Sequence, residues 1–248
     1  VELENTWPET LEKNIDKDVV NMGVGGYSTL QERKFLENYG IKLKPKVVIL
    51  GFFVNDFIDS FGAESEEKGT LGISEILKKN IATYAYVHAG LSRIVALSSA
   101  IFYKNNDLDL VLIPRHWKNS INPDNPAVRV GESITKDEIL KISEIAKGNN
   151  AEFVIVIIPS REHIYRHLLE ELNVTIDGFD LDYPIISMKS FCKENNLRCL
   201  DTTPAIKQYA KGGEQLTFKM DGHMNELGNR RLAEIVQNYL GEENLLAK

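Results

Sequence analysis

The sequence contains little cysteine: its 248 residues include only Cys192 and Cys199. Two cysteines are too few to build a disulfide framework, and we interpret them as buried free thiols. The chain has no apolar run of the roughly 18 residues that a membrane-spanning helix needs, and it opens with no signal peptide. Because Val1 is not a start methionine, we allow for a leader or membrane anchor upstream of it in the natural protein. We therefore favour an extracytoplasmic or membrane-tethered location over a cytoplasmic one.

Positive charge is scarce as well. Lys and Arg number 29 against 36 Asp and Glu, which gives a formal net charge of -7. No basic stripe interleaved with aromatic residues is present, so the composition argues against a nucleic-acid partner. The chain has no internal repeat and no low-complexity tract. With 43% hydrophobic and 26% charged residues it has the balance of an ordinary globular protein, and we predict a single domain over residues 1–248.

Short apolar runs alternate with helical patterns along the chain. Four runs rich in β-branched residues predict buried strands at 19–24, 47–54, 153–158 and 197–201. Capping boxes that begin at Thr6, Ser28 and Thr135, together with helical spacing, predict helices at 6–17, 28–40, 135–148, 184–195 and 225–240. This alternation predicts a three-layer α/β/α fold, flavodoxin-like, with a mostly parallel sheet covered on both faces.

Two features depart from that alternation. Residues from about 60 to 134 contain no clear strand–helix unit, and we interpret them as a mainly helical insertion. Within it we expect an acidic loop at 63–72, a long helix from 73 to about 103 and a loop at 114–126. In addition, a helix opens the series, whereas a doubly wound sheet begins with a strand. In the flavodoxin-like order 2-1-3-4-5 the first strand is central, and we expect it to be missing from this chain.

An aspartate and a histidine lie two residues apart in the stretch KMDGHMNELGN, at Asp221 and His223. Residues i and i+2 of an extended segment point the same way, so the carboxylate could orient the imidazole as a general base. The alternative is a polar loop in which Asn225 caps the final helix. The Asp-x-His spacing alone does not decide between the two.

Potential hydrogen-bond donors follow two of the predicted strands. Asn55 ends the apolar run GFFVN, where its amide could serve an oxyanion or could close the strand in an Asx turn. Gly26 lies in NMGVGGYST, where a glycine could bring a backbone N–H close to a ligand or could simply make a turn. This stretch lacks the G-x-G-x-x-G spacing of a dinucleotide site. Because parallel strands end at one edge, we expect Gly26, Asn55 and the Asp221–His223 pair to converge there.

These stretches resemble the sequence blocks of the SGNH (GDSL-type) hydrolase superfamily. N-x-G-x-x-G-Y-S-T is similar to the second family block, which implies that Gly26 is an oxyanion-hole glycine. FFVNDF is similar to the third block and implies an oxyanion-hole role for Asn55. DGHMNELGNRRLAE is similar to the last block and implies that His223 is the base and Asp221 its partner. The likeness covers most of the chain outside residues 61–130.

Three departures from the family pattern affect the expected chemistry. Phe53 occupies the usual glycine position of the third block, and the last block has Asp-x-His in place of Asp-x-x-His. The shorter spacing resembles the branch that includes alginate O-acetyltransferase-like proteins. The Gly-Asp-Ser block is absent, and the resemblance implies a nucleophilic serine roughly ten residues before Val1. Among the internal serines, we interpret Ser28 as a helix cap and Ser160 as a cap or lining residue.

The resemblance implies a serine esterase or O-acyltransferase that needs no cofactor and no metal. Its expected substrate is a small-molecule or glycan acyl ester, as in O-acylated carbohydrate or cell-envelope polymers. Two alternatives are a catalytically inactive domain that binds a glycan or a partner protein, and a nucleotide-binding flavodoxin-like domain. His163 and His167 have the i, i+4 spacing of zinc ligands, but Glu162 precedes the first histidine. We therefore interpret them as a solvated helix face.

Overall fold

The structure, a computed structural model, describes residues 1–68, 100–174, 176 and 178–246. The helices that it describes are α1 (Trp7–Ile15), α2 (Thr29–Asn38), α3 (Asp56–Glu67), α4 (Lys118–Ile121), α5 (Pro126–Gly148), α6 (Arg161–Ile164), α7 (Arg166–Glu171), α8 (Tyr183–Glu194), α9 (Thr203–Lys211) and α10 (Glu226–Glu242). The strands are β1 (Val47–Phe53), β2 (Ile101–Lys104), β3 (Asp109–Leu112), β4 (Glu152–Ile158) and β5 (Arg198–Asp201). Short 3-10 helices span Leu3–Asn5, Gly40–Leu43 and Pro114–Trp117.

Three strands form a parallel sheet in the order β1-β4-β5. β4 is central: Val47 pairs with Glu152 and Phe53 with Ile158 on the β1 side, while β5 pairs on the other side. The carboxyl ends of the three strands therefore lie along one edge. β2 and β3 form a separate antiparallel pair. The chain is thus an α/β protein with a mostly parallel main sheet, and the strands predicted over β1, β4 and β5 are confirmed.

Helices cover the main sheet on both faces. Ile155 and Ile157 of β4 lie in a buried cluster with residues of α3, α5 and α8. Val154 and Val156 lie in a second cluster, with residues of α1 and α10. A parallel strand that is buried on both faces is apolar at every position, which explains the run FVIVII. A third cluster joins β3, α7 and α9.

The predicted strand at 19–24 is wrong. These residues follow α1 as irregular chain and pair with no strand of the described part. Val20 and Val24 are exposed, while Val19 packs into the cluster that β1 shares with α1 and α10. Without a strand partner among the described residues, its N–H and C=O groups have no ladder to join.

The predicted insertion at 60–134 differs from expectation at both ends. α3 continues to Glu67 through the expected acidic loop, and α5 begins at Pro126 and not at residue 135. Asn125 caps α5 by accepting a hydrogen bond from the Ala127 N–H (3.1 Å), just ahead of a proline in the first turn. β2 replaces the end of the expected long helix, whose part at 73–99 lies outside the described residues. Residues 114–121 are short helices, so the loop predicted there is also wrong.

The N-termini of the helices show which of the predicted caps form. The predicted box at Ser28 is confirmed, since its backbone N–H donates to the Gln31 side chain (2.9 Å). The box predicted at Thr6 is wrong, because the Thr6 hydroxyl donates instead to the Leu3 carbonyl oxygen (2.8 Å). Asn225 caps α10 with its side chain, and that helix continues one residue beyond Gly241. Within the described ranges, no helix is both long and apolar enough to cross a membrane.

Cys192 and Cys199 form a disulfide, so their interpretation as free thiols is wrong. Cys192 lies in the last turn of α8 and Cys199 lies in β5. The reversal between helix and strand places their Cα atoms 6.1 Å apart, within reach of a disulfide. The bond depends on this reversal, which cysteine count alone does not predict.

Candidate functional site

Asp221 and His223 form a hydrogen-bonded pair on an exposed loop. One oxygen of the Asp221 carboxylate accepts from His223 Nδ1 and from the His223 backbone N–H (2.9 Å). Partial burial acts to raise the pKa of Asp221, but the hydrogen bonds from His223 and the charges of His223 and Arg161 hold that pKa below its usual range. Since an ionised carboxylate only accepts, Nδ1 carries the proton, and in the neutral imidazole Nε2 then presents a lone pair. The His223 side chain is 83% exposed, so the ring is open to solvent.

Gly26 lies in a tight turn that leads into α2. The Tyr27 N–H donates to the Val24 carbonyl oxygen (3.1 Å), and Gly26, the third residue of the turn, has a φ of +83°. This is a type II turn, whose third residue needs the left-handed region that favours glycine. A Cβ on Gly26 would meet no atom within 4 Å, so the requirement is conformational. The exposed Gly26 N–H has no hydrogen-bond partner among the described residues, which leaves it available to a ligand.

Asn55 stands between β1 and α3, at the carboxyl end of the strand. Its side-chain amide donates to the Asp59 carboxylate at 2.5 Å. An asparagine amide has two N–H bonds, so one remains for a ligand beyond the strand end. The strand is closed by Asp56, whose carboxylate accepts from the Phe53 N–H (2.9 Å), and not by the Asx turn considered for Asn55.

A pair of buried carboxyl groups, Glu32 and Asp56, lies beside Asn55 and has no signal in the sequence. Burial raises the pKa of Glu32 from its ordinary value of 4.5 to about 7, and its Oε2 atom is buried without a hydrogen-bond partner. Burial and the charge of Glu32 raise the pKa of Asp56 well above its usual range, against a hydrogen bond from the Phe53 N–H that lowers it. Two such carboxylates are costly to ionise together, so the pair retains a proton near neutral pH.

Replacing Glu32 by Gln is expected to stabilise the protein at about pH 8 and to leave its stability unchanged near pH 4. Folded protein keeps a proton on Glu32 that unfolded protein loses as the pH rises from 4.5 to about 7, so stability falls across that window. Glutamine does not titrate and so removes this fall, which raises the free energy of unfolding by about 2–3 kcal/mol at pH 8 relative to wild type. Urea unfolding across the pH range measures the difference from wild type. Glu37→Gln, on the exposed side of α2, should keep the wild-type slope, and parallel profiles for wild type and Glu32→Gln would contradict the prediction.

The turn at Gly26 and the strand end at Asn55 are connected through these carboxyl groups. Glu32 lies about one turn into the helix that follows Gly26, and its charge acts on Asp56, the neighbour of Asn55. α2 and α3 also contact each other directly. The helices that follow Gly26 and Asn55 are therefore neighbours, while the convergence of the two N–H donors themselves stays a prediction.

The loop that carries His223, here called the histidine loop (residues 219–223), reaches the same edge through β4. β1 and β4 leave the sheet side by side, since Phe53 pairs with Ile158. Arg161, three residues beyond Ile158, donates to the Lys219 carbonyl oxygen at 3.2 Å. Asn55 and the histidine loop thus both border the carboxyl edge of the sheet. That they meet around a single pocket stays a prediction.

Neither of the two internal serines considered as nucleophiles, Ser28 and Ser160, is exposed. Ser28 is 1% exposed and belongs to the α2 cap, and Ser160 is 0% exposed. The Ser160 hydroxyl lies 2.7 Å from His163 Nδ1. Because His163 Nε2 donates to the Leu181 carbonyl oxygen (2.8 Å), Nδ1 is the acceptor of the serine proton. This Ser–His pair is enclosed in the protein and ties α6 to the chain before α8.

The interpretation of His163 and His167 as one solvated helix face is wrong. His163 lies in α6 and His167 in α7, and His163 is 0% exposed. Burial lowers the pKa of His163, although its hydrogen bond to Leu181 and the charge of Asp182 act to raise it. Among the described residues, no three His, Cys, Asp or Glu side chains are grouped so that they could hold a metal ion.

Comparison with known proteins adds no relative: no family model matches this chain, and no curated protein matches it. The choice of a reaction therefore depends on the chain's own residues. The hydrogen-bonded pair on the histidine loop and the donors at two neighbouring turns are the features on which it depends.

Proposed function

We propose that this chain carries the base and the oxyanion-binding groups of an SGNH-type serine esterase or O-acyltransferase. The observation that carries the proposal is the Asp221–His223 pair, an exposed imidazole oriented by a carboxylate at the carboxyl edge of a parallel sheet. Such an imidazole, with Nε2 unprotonated, is arranged to take a proton from a nucleophile. Asn55 supplies an N–H group at the same edge, and Gly26 is proposed to supply a second one there.

The proposed reaction begins when His223 Nε2 takes the proton of a serine hydroxyl and the serine oxygen attacks an ester carbonyl. Asp221 holds the ring and stabilises the imidazolium. The Gly26 N–H, the second Asn55 N–H and the serine's own N–H donate to the oxyanion. Collapse of this intermediate expels the alcohol, which receives the proton from His223. Water, or the hydroxyl of an acceptor, then removes the acyl group from the serine.

The serine is proposed to lie upstream of Val1, on a strand that pairs with the open edge of β1. Within the described residues β1 has a single ladder neighbour, although Leu50 and Phe52 are as buried as in an interior strand. Residues 19–24 also lack a neighbour. A parallel strand between the two would give both segments a ladder partner. Its carboxyl end would lie at the same edge as Asn55.

The proposed substrates are acyl esters of carbohydrate or cell-envelope polymers. Two observations support this class. The Asp-x-His spacing resembles that of alginate O-acetyltransferase-like proteins, and the Cys192–Cys199 disulfide suits an oxidising, extracytoplasmic compartment.

Ester hydrolysis by the natural protein, with its residues upstream of Val1, tests the proposal. We expect turnover of p-nitrophenyl acetate that is lost when the upstream serine is replaced by alanine, and little or no turnover by residues 1–248 alone. Absence of an upstream serine, or equal turnover with and without it, would contradict the proposal. Transfer of acyl groups to a glycan hydroxyl, compared with release to water, separates transferase from hydrolase.

The second candidate is a catalytically inactive SGNH-like domain that binds a glycan or a partner protein. The burial of Ser28 and Ser160 favours it, because both internal candidates for the nucleophile are enclosed. A cavity of about 620 Å³ between α8 and α9 offers a surface for such binding, with Lys207 and Thr203 among its lining residues. Glycan binding without turnover by the natural protein would favour this candidate.

A further inference from the structure

Arg161 is a buried arginine beside the histidine loop that the proposed reaction does not use. It begins α6 directly after β4 and is 4% exposed. Its Nε atom lies 3.5 Å from the carboxylate of Glu162, which is itself 2% exposed. Glu162 also accepts hydrogen bonds from the Ile113 N–H (3.1 Å) and from Trp117 Nε1 (2.7 Å). A guanidinium buried against a carboxylate that is itself held in place has little freedom to move.

The structure connects Arg161 to the histidine loop through the backbone. Arg161 Nη1 donates to the Lys219 carbonyl oxygen (3.2 Å), which also accepts from the Val111 N–H (3.0 Å). Tyr165, one turn beyond Arg161, accepts from the Leu216 N–H (2.7 Å). One buried helical segment therefore holds the chain on its way into the histidine loop.

The charge of Arg161 also acts on Asp221. It is one of the influences that hold the pKa of Asp221 low, together with the hydrogen bonds and charge of His223, against the opposing effect of partial burial. Asp221 thus faces one cation from α6 and one titratable partner from its own loop. Both favour the ionised carboxylate.

We infer that Arg161 is the positioning residue of the Asp221–His223 pair: it holds the histidine loop through the Lys219 carbonyl oxygen, and its fixed positive charge favours the ionised Asp221 carboxylate. The inference rests on the proposed function, since it concerns how the proposed base is oriented. Arg161 makes no contact with the ester. It acts through Asp221, because a held and ionised carboxylate keeps the proton on His223 Nδ1 and leaves Nε2 free.

Titration of the Asp221 carboxyl carbon by NMR, in residues 1–248, tests the inference without any turnover. In Arg161→Gln we expect the Asp221 midpoint to move to higher pH. We also expect amide exchange at Phe218, whose N–H donates to the His223 carbonyl oxygen, to become about tenfold faster. Arg161→Lys keeps the charge and loses the forked geometry, so it should retain the midpoint and show the faster exchange. Arg129→Gln, an exposed control on α5, should change neither.

An unchanged Asp221 midpoint in folded Arg161→Gln would overturn the inference. Arg161→Gln leaves Glu162 buried without its counterion and could fail to fold for that reason. The double variant Arg161→Gln/Glu162→Gln removes both charges, and its Asp221 midpoint and Phe218 exchange rate then test the inference. In the serine-containing protein, Arg161→Gln should lower kcat about 10- to 100-fold with KM within about twofold. If the Asp221 midpoint moves in Arg161→Gln but the wild type has no esterase activity, the proposed function is wrong and the role of Arg161 stands. If the wild type is an active esterase but the midpoint does not move, the proposed function stands and the role of Arg161 is wrong.

Discussion

Replacing His223 with alanine is expected to lower kcat/KM for p-nitrophenyl acetate at least about 10⁴-fold in the serine-containing protein, without loss of folding. Without Nε2 the serine hydroxyl keeps its proton, and a neutral hydroxyl is a weak nucleophile. The side chain is 83% exposed, and its backbone N–H keeps its hydrogen bond to Asp221. The change in the free energy of unfolding should therefore stay below about 0.5 kcal/mol. Initial rates and urea unfolding on the same preparation measure both quantities.

A graded set of variants separates the roles within the site. Asn55→Ala should lower kcat about 10²–10³-fold, because one donor to the oxyanion is lost. His167→Ala is the matched control: it removes a half-buried histidine of α7 and should keep the rate within about twofold. Full activity of His223→Ala would remove this residue from the mechanism. A rate loss that follows unfolding in every variant would assign the loop a structural role only.

Local patterns predict the main strands and part of the site well. β4 is apolar because it is buried on both faces, and β1 is apolar throughout, so both are visible as short hydrophobic runs in the sequence. The Ser28 box and the Asp221–His223 pair involve residues two or three apart, so their geometry depends on few backbone angles. Local geometry of this kind can be predicted from a single sequence.

Features that depend on distant neighbours could not be predicted in this way. Residues 19–24 have the composition of a strand, but a strand also needs a partner for its backbone groups. β2 and β3 stabilise each other as a pair, although the first looks like the end of a helix. At α5, Thr135 has a good capping pattern, but Asn125 begins the helix earlier, and the Thr135 hydroxyl instead donates to the Asp56 carbonyl oxygen of α3 (3.2 Å).

The burial of charged residues around the site likewise could not be predicted from local sequence. Glu32, Asp56 and Arg161 lie near helix starts, where the usual interpretation is a solvated side chain. Their burial results from how α2, α3 and α6 pack at the sheet edge, and this packing changes the pKa of both carboxyl groups. Donors and acceptors can thus be located from sequence, while the groups that tune them require the fold.

Replacing Gly131 with alanine is expected to destabilise the protein by about 3 kcal/mol or more. Gly131 lies where α5 crosses α3, and a Cβ there would stand 1.7 Å from the Phe57 carbonyl oxygen and 2.7 Å from its carbonyl carbon. The backbone of a packed helix cannot give way as the tip of a side chain can, so the two helices must separate. The helix propensity that alanine adds, about 1 kcal/mol, is too small to offset the lost packing. Urea unfolding measures the difference.

Gly62→Ala is the matched control, because a Cβ at this position of α3 would meet no atom within 4 Å. It should be neutral or stabilise the protein by up to about 1 kcal/mol. Phe57 lies in the first turn of α3, two residues beyond Asn55, so separation of the helices at Gly131 also moves the proposed oxyanion donor. In the serine-containing protein kcat should fall in Gly131→Ala and stay unchanged in Gly62→Ala. Equal, small effects of both substitutions would show that α3 and α5 can separate freely, and the packing at Gly131 could then no longer explain how Asn55 is held at the sheet edge.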